Sequence, residues 1–303
     1  MVSRLSDLVA YELSSTYSII NTSAAHKEEI LRFRNELCRS EVAKGRDEAP
    51  YAYILPAHQS DPGEMVRLVN LLGEHGVEVY RLTENMSVSG KGYMAGDLVV
   101  PLDQPFRAFI KEVMEKQVFP VRHYTPGGDV IRPYDVTSWS LPLHRGILSH
   151  EITVRDMAFE AALKPLEGNY NPLQKNYKLP AIFPVTSNGS FMAAIIAANE
   201  GLSISRLNQE VKLNDRVYGK GSFMIQGKDE ALLNRLVQET CTEPGYVSEP
   251  GKLSMTEVSV PRIALVETYF SDMDAGWTRY LFDTYKLPYT VLHPDEFENS
   301  DLA

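Results

Sequence analysis

In VEVYRL (77 to 82) the apolar residues take alternate positions, the period of a strand with one buried face, and DLVVP (97 to 101) offers a second such strand. Between them, Ser89-Gly90-Lys91 has the composition of a turn. The pattern returns further along: VEVYRLTENMSVSGKGYMAGDLVVP (77 to 101) aligns without a gap on LSISRLNQEVKLNDRVYGKGSFMIQ (202 to 226), an offset of 125 residues. Arg81-Leu82 falls on Arg206-Leu207, Tyr93 on Tyr218 and Gly96 on Gly221, so one supersecondary unit is expected twice.

Upstream of each copy lies an apolar strand ending in proline (YAYILP, 51 to 56; AIFP, 181 to 184), then a polar loop and a helix. Each helix stops at a glycine, Gly76 or Gly201, which takes the left-handed end conformation at little cost. Downstream, QPFRAFIKEVMEKQ and KDEALLNRLVQET both have helical apolar spacing. Each unit therefore reads as β-α-β-hairpin-α, and the helical crossover predicts parallel pairing with right-handed connections. A third start follows: PRIALVETYF (261 to 270) as strand and exit loop, DMDAGWTRYLFDTY as helix and YTVL (289 to 292) as strand. A lone βαβ cannot bury its own faces, so either it docks onto the preceding repeats or the sequence is a piece of something longer, the second being the favoured expectation.

The predicted class is thus α/β, with parallel sheets in two repeated units. Residues 1–49 are N-terminal helices, 50–117 the first repeat, 118–179 a connector, 180–258 the second repeat and 259–303 a partial βαβ. Residues 3 to 45 read as two helices broken near Asn21-Thr22-Ser23, the second carrying Ile30, Phe33 and Leu37 on one face. The connector is rich in proline yet holds Tyr124, Tyr134, Trp139, Tyr170 and Tyr177, which predicts order rather than a floppy linker.

Composition narrows the partners. With 44% hydrophobic and 23% charged residues in 303, the chain should be globular. Forty acids against 30 basic residues, and no basic stripe, argue against nucleic acid. The longest apolar run, FMAAIIAA (191 to 198), falls far short of the roughly 20 residues that span a bilayer, and MVSRLSDLVAYELSS carries acids where a signal peptide needs a greasy core. Neither a membrane anchor nor an export signal is visible. Cys38 and Cys241 offer no disulfide framework and no thiolate zinc site.

Candidate chemistry is sparse. His26 and Glu29 form an HxxE pair on one helix face, but no third ligand is nominated nearby, so they read as a solvated pair. Asp135, His144 and His150 with Ser138 or Ser140 could make a base–nucleophile couple, but no GxSxG-like turn supports it. KGYMAGDLV and YGKGSFM do not open a helix and read as hairpin turns, not phosphate loops. Glu267 sits just beyond a strand, where open α/β sheets place ligand contacts. RPYDVTSWSLPLHRG (132 to 146) reads as a packed loop: Pro133 and Pro142 fix the backbone, Tyr134 and Trp139 supply buried area, and Asp135 accepts hydrogen bonds. No catalytic or metal-ligating residue is assigned, and Tyr134, Asp135, Trp139 and Glu267 remain as candidate binding residues.

The stretches YAYILP, HGVEVYRL, YMAGDLVVPLDQPFRAFIKEVME, GGDVIRPYDVTSWSLPL and PRIALVETYFSDMDAGWTRYLFDTYKLPYTVLHPDEF, in that order, resemble the region after the catalytic domain in large bacterial zinc carboxypeptidases of the carboxypeptidase A-like metallopeptidase family. The likeness runs over nearly the whole chain and is most specific at 133–142 and 276–290, the latter opening a class I glutamine amidotransferase-like, flavodoxin-like βαβ. The resemblance implies an accessory, non-catalytic portion. The family's zinc ligands and catalytic glutamate belong to a domain preceding residue 1, so no cofactor is expected here. It also implies a zinc peptidase domain as partner in cis or trans, a peptide substrate and a periplasmic or secreted parent. The alternatives from the residues are an independent peptide- or glycan-binding module and a standalone hydrolase.

Overall fold

A computed structural model describes residues 4–118, 120–132, 139–173, 176–270, 273–297 and 300. The chain divides into two compact units: Met1–Leu55, Leu72–Ser140 and Ser149–Leu166 form the first, and Pro56–Leu71, Leu141–Leu148 and Glu167–Ala303 the second.

The first unit opens with helices α1 (Leu5–Ala25) and α2 (Lys27–Asp47). Their junction is His26, not the 21–23 stretch expected from sequence, and helical hydrogen bonding runs through it: His26 N donates to Thr22 O at 2.9 Å and Ile30 N to His26 O at 3.0 Å. Asn, Thr and Ser are weak helix formers, but two flanking runs of good ones carry the helix across them. Strand β1 (Ala52–Leu55), β2 (Tyr80–Leu82), the hairpin β3 (Met86–Val88) and β4 (Lys91–Tyr93), β5 (Leu98–Pro101) and α4 (Arg107–Met114) follow, while helix α3 (Pro62–Glu74), between β1 and β2 in the chain, falls mostly in the second unit. Then α5 (Leu141–His144) belongs to the second unit, and β6 (His150–Ile152), α6 (Met157–Ala161) and β7 (Leu163–Pro165) complete the first.

The sheet of this unit has the order β6-β1-β5-β2-β7, and every pair in it is antiparallel. This corrects the parallel sheet expected from the helical crossover. Only Thr83 to Asp97 separate β2 from β5, a span filled by the β3–β4 hairpin, so β5 runs back against β2 and enters between β1 and β2. The crossover β1-α3-β2 therefore skips one strand. Alternation along a strand reveals its buried face but not its neighbour. The stretch read as a connector also proves to hold the two outer strands, β6 and β7.

One face of this sheet packs Ala52, Ile54, Leu82 and Val99 against Val88 and Tyr93 of the hairpin and Phe159 of α6. Each fully buried Ile or Leu there contributes roughly 1.5–3 kcal/mol. The end of α2 is tied to α4 by Arg107, buried, which pairs with Glu41 at 3.3 Å and Glu48 at 3.1 Å. A hydrogen bond from Lys44, with that from Arg107, holds the Glu41 carboxyl below its ordinary value.

Tyr93 Oη lies 3.4 Å from His150 Nδ1 beneath the hairpin, and burial pushes the imidazole below its ordinary 6.5, with Lys91 adding to the effect and Asp97 opposing it. A histidine whose folded value is depressed binds fewer protons folded than unfolded, so stability falls as pH drops through 6.5 toward the lower folded value. Urea midpoints at pH 7.5 and 5.5, buffer conditions chosen about one unit either side of the ordinary histidine value, should show that loss. The His150→Gln chain should show a smaller one, and an equal loss in both would remove His150 as the cause.

The second unit holds β8 (Ala181–Phe183), α7 (Asn188–Asn199), β9 (Ser203–Leu207), β10 (Val211–Leu213), β11 (Arg216–Tyr218), β12 (Phe223–Gln226), α8 (Glu230–Thr240), β13 (Gly245–Tyr246) and β14 (Met255–Glu257). Its sheet, β13-β8-β12-β9-β14, is again antiparallel, and β10–β11 forms a hairpin. Arg81 pairs with Leu98 in the first unit and Arg206 with Phe223 in the second, both 125 positions on. Gly96 and Gly221 have φ of +100° and +91°, a region that favours glycine, and each amide donates at 2.8 Å, to Leu82 O and Leu207 O respectively. Ala181, Phe183, Ile225 and Leu233 pack with α7 and α8 on one face, and Ile182, Met224 and Tyr218 on the other.

The last elements are β15 (Ala264–Val266), α9 (Met273–Thr284), β16 (Thr290–Leu292) and α10 (Pro294–Phe297). Here the expectation of a parallel βαβ agrees with the structure: β15 and β16 pair in parallel, Ala264 with Thr290 and Val266 with Leu292.

Candidate functional site

Parallel strands in register bring the residues that follow them side by side. Glu267 comes directly after β15 and His293 directly after β16, and Glu267 N donates to Leu292 O at 3.1 Å. His293 Nδ1 lies 3.3 Å from Glu267 O, and Tyr269 stacks on the imidazole with centroids 4.4 Å apart. Tyr269 Oη donates to Asp295 Oδ1 at 2.5 Å. That bond pushes the exposed phenol up to about 12 and holds the Asp295 carboxyl below its ordinary value.

From α9, Arg279 forms an ion pair with the Glu267 carboxylate, which is only 15% exposed. Arg279 Nε is buried without a hydrogen-bond partner. The cluster therefore lies at the carboxyl ends of parallel strands, the edge at which open α/β sheets bind ligands. It presents an exposed aromatic face, while its guanidinium is engaged by Glu267 and has its Nε shut away from solvent. Its carboxylate is ion-paired and its phenol donates to Asp295, an arrangement suited to stacking a planar group rather than to proton abstraction. Sequence reading singled out Glu267 but missed His293, Tyr269, Asp295 and Arg279, because only strand register brings positions 26 residues apart together.

The other sequence candidates fall out differently. Tyr134 and Asp135 lie outside the described residues, as does Ser138. Trp139 is 55% exposed, so it does not supply the buried area expected of it; Trp277, 69% exposed, meets Tyr280 edge-on. Of the histidines near 150, His144 is the exposed end of α5, whereas His150 lies in β6 against Tyr93. His26 and Glu29 pair with each other at 3.2 Å on an exposed helix. Among the described residues no three His, Cys, Asp or Glu side chains are grouped to hold a metal.

A cavity of about 200 Å³ in the first unit is lined by Tyr51, Tyr80, Asp103, Arg155, Asp156 and Glu160. It is smaller than the ~300 Å³ at which small-molecule pockets begin. Arg155 there is already engaged by Glu160 at 2.9 Å, by the Arg46 carbonyl at 2.9 Å and by the Tyr51 ring at 5.3 Å.

A second polar cluster, in the second unit, had a sequence signal that went unread. Asp61-Pro62-Gly63-Glu64 is a helix start, with a cap residue, proline in the first turn and an acid three residues on. The buried Asp61 carboxylate accepts from Gly63 N at 3.0 Å, from Ser187 Oγ at 3.0 Å and from Asn188 N at 2.9 Å. It thus caps α3 and, in place of Ser187's own side chain, α7. Glu64 accepts from Arg67 at 2.7 Å and Arg145 at 2.9 Å, and Arg67 also donates to Thr240 O, at the end of α8, at 3.0 Å. Every charge in this cluster is matched, which makes it a structural joint.

Compared with known proteins, the chain matches no family model, no curated protein and no solved structure.

Proposed function

We propose that this chain is a non-catalytic accessory or scaffold portion of a zinc carboxypeptidase-like protein, acting beside a zinc peptidase domain supplied in cis or in trans. The observation that carries this reading is the Glu267–Arg279 pair. The carboxylate at the edge where an α/β enzyme would keep a reactive group is instead bound by a guanidinium from its own helix. The sequence resemblance at 133–142 and 276–290 names the parent family. We further propose that the two antiparallel sheets are copies of one unit, on the strength of the shared strand order and the matched 125-residue register.

On this reading the purified chain hydrolyses no C-terminal residue from peptides, and its rate is unchanged by Glu267→Gln. It should bind a zinc peptidase domain of the resembled family saturably in titration calorimetry. One tightly held zinc per chain that disappears with His26→Ala, or peptidase activity that disappears with Glu267→Gln, would overturn it.

A second reading, a peptide- or glycan-binding module, is favoured by the exposure of Trp139. Trp139→Ala should then weaken binding to peptide or glycan arrays while leaving the melting temperature unchanged. A lowered melting temperature with unchanged binding would assign the ring to packing instead.

A further inference from the structure

The N-terminal helices carry a stripe that nothing among the described residues covers along most of its length. Apolar pairs recur every eleven residues: Leu8-Val9, Ile19-Ile20 and Ile30-Leu31. Leu5, Thr16 and Cys38 lie on the same face at multiples of that spacing, while Asp7, Ser14, Ser18, Asn21, Arg32, Glu36 and Arg39 lie on the opposite one. Continued one more period, the stripe reaches Glu41 and Gly45, which are buried. A Cβ at Gly45 would overlap the Leu102 carbonyl, so this face is the one that meets the first unit at the end of α2. Toward the N-terminus the same face is bare: no residue of α1 is buried, and Leu8, Val9, Ile19, Ile20, Ile30 and Leu31 are 48–68% exposed.

We propose that a second copy of this chain covers the stripe, its α1–α2 helix running antiparallel to the first about a two-fold axis between Ile19 and Ile20. In that register Ile19 faces Ile20 of the other copy, Leu8 faces its Leu31 and Val9 faces its Ile30. The one acid on the stripe between these pairs, Glu12, then faces Lys27 of the other copy, so the charges match as well as the apolar residues. The overlap runs from 5 to 34 and ends before the turns at 38–45 that are anchored in the first unit, so neither body obstructs the other's helix. An eleven-residue repeat gives 3.67 residues per turn, close to a straight helix, and packs as a nearly straight or slightly right-handed pair. Twelve large apolar side chains from two copies bring on the order of 1,000 Å² out of water, about the lower limit for a specific interface.

Light scattering on the whole chain should give twice the chain mass at micromolar concentration. Changing Ile19 and Ile20 together to aspartate should give a monomer at every concentration that keeps its helical circular dichroism and whose melting temperature no longer rises with concentration, both side chains being more than half exposed in the single chain. Lys27→Glu should weaken the dimer about tenfold or more, and adding Glu12→Lys to the same chain should restore it. A parallel pair would place residue 12 against residue 12 and would not be rescued. A monomer at every concentration, a dimer indifferent to the Ile19/Ile20 change, or no rescue by the charge exchange would each overturn the proposal.

Discussion

Asp61→Ala is expected to cost the second unit about 3 kcal/mol or more, because it leaves buried hydrogen-bond donors facing one another with no acceptor between them. Asp61 is 8% exposed, and its carboxylate accepts from Gly63 N, Ser187 Oγ and Asn188 N. Two of those donors are the first amides of α3 and α7, the ends at which helix dipoles concentrate positive charge. Ser187 keeps a partner after the substitution, Thr242 Oγ1 at 3.0 Å, so the loss falls mainly on the two amides and on the unbalanced dipoles. Asp61→Asn retains one oxygen for one amide and should cost about half as much. Urea unfolding followed by far-ultraviolet circular dichroism reports the loss through α7 and α8. A shift below about 1 kcal/mol for Asp61→Ala would mean that the two helix starts are capped by water instead.

What the sequence revealed and what it hid separate along a physical line. Periodicity is local, so strands, hairpins and helices were legible wherever five or more residues share a pattern. The hairpins at 86–93 and 211–218 and the glycines closing α3 and α7 fell where expected. Neighbour choice is not local. Nothing in VEVYRL states whether the next strand lies beside it in parallel or antiparallel, and the short return through Thr83 to Asp97 decided for antiparallel. Edge strands were hidden for a related reason: HEI and LKP at 150–152 and 163–165 are too short to establish an alternation.

The candidate site shows the same division. Glu267 was visible as a carboxylate after a strand, a local fact. That Arg279 neutralises it and that Tyr269 stacks on His293 depends on a helix turn and a strand register that join distant positions. In the N-terminal helices the eleven-residue spacing was present in the sequence, but its meaning comes only from seeing which end is buried. Ile30, Phe33 and Leu37, read from sequence as one apolar helix face, are 42–66% exposed on a helix held at one end.

The joint around Asp61 also fixes what its glycines must be, and Gly189→Ala should be the most damaging single methyl added to the second unit. A Cβ at Gly189 would overlap both Thr240 O and Thr242 Oγ1, where the start of α7 meets the end of α8. Gly63, at the corresponding place in α3, meets the same turn less tightly, with Cys241 O at 2.8 Å from its Cβ position. Backbone oxygen cannot rotate aside as a flexible side chain can, and Thr240 O is already held by Arg67. The expected cost is about 3 kcal/mol for Gly189→Ala, at the upper end for overpacking, with a smaller loss for Gly63→Ala. Gly73→Ala is the control: it lies in the last turns of α3 with nothing within 4 Å of its Cβ position, so it should stabilise by about 0.5–1 kcal/mol through helix propensity alone. Thermal melts of the three variants should rank Gly73→Ala above the parent chain, then Gly63→Ala, then Gly189→Ala. If Gly189→Ala melted with the parent, α7 and α8 would have room to part, and close contact at this joint would not be what holds them.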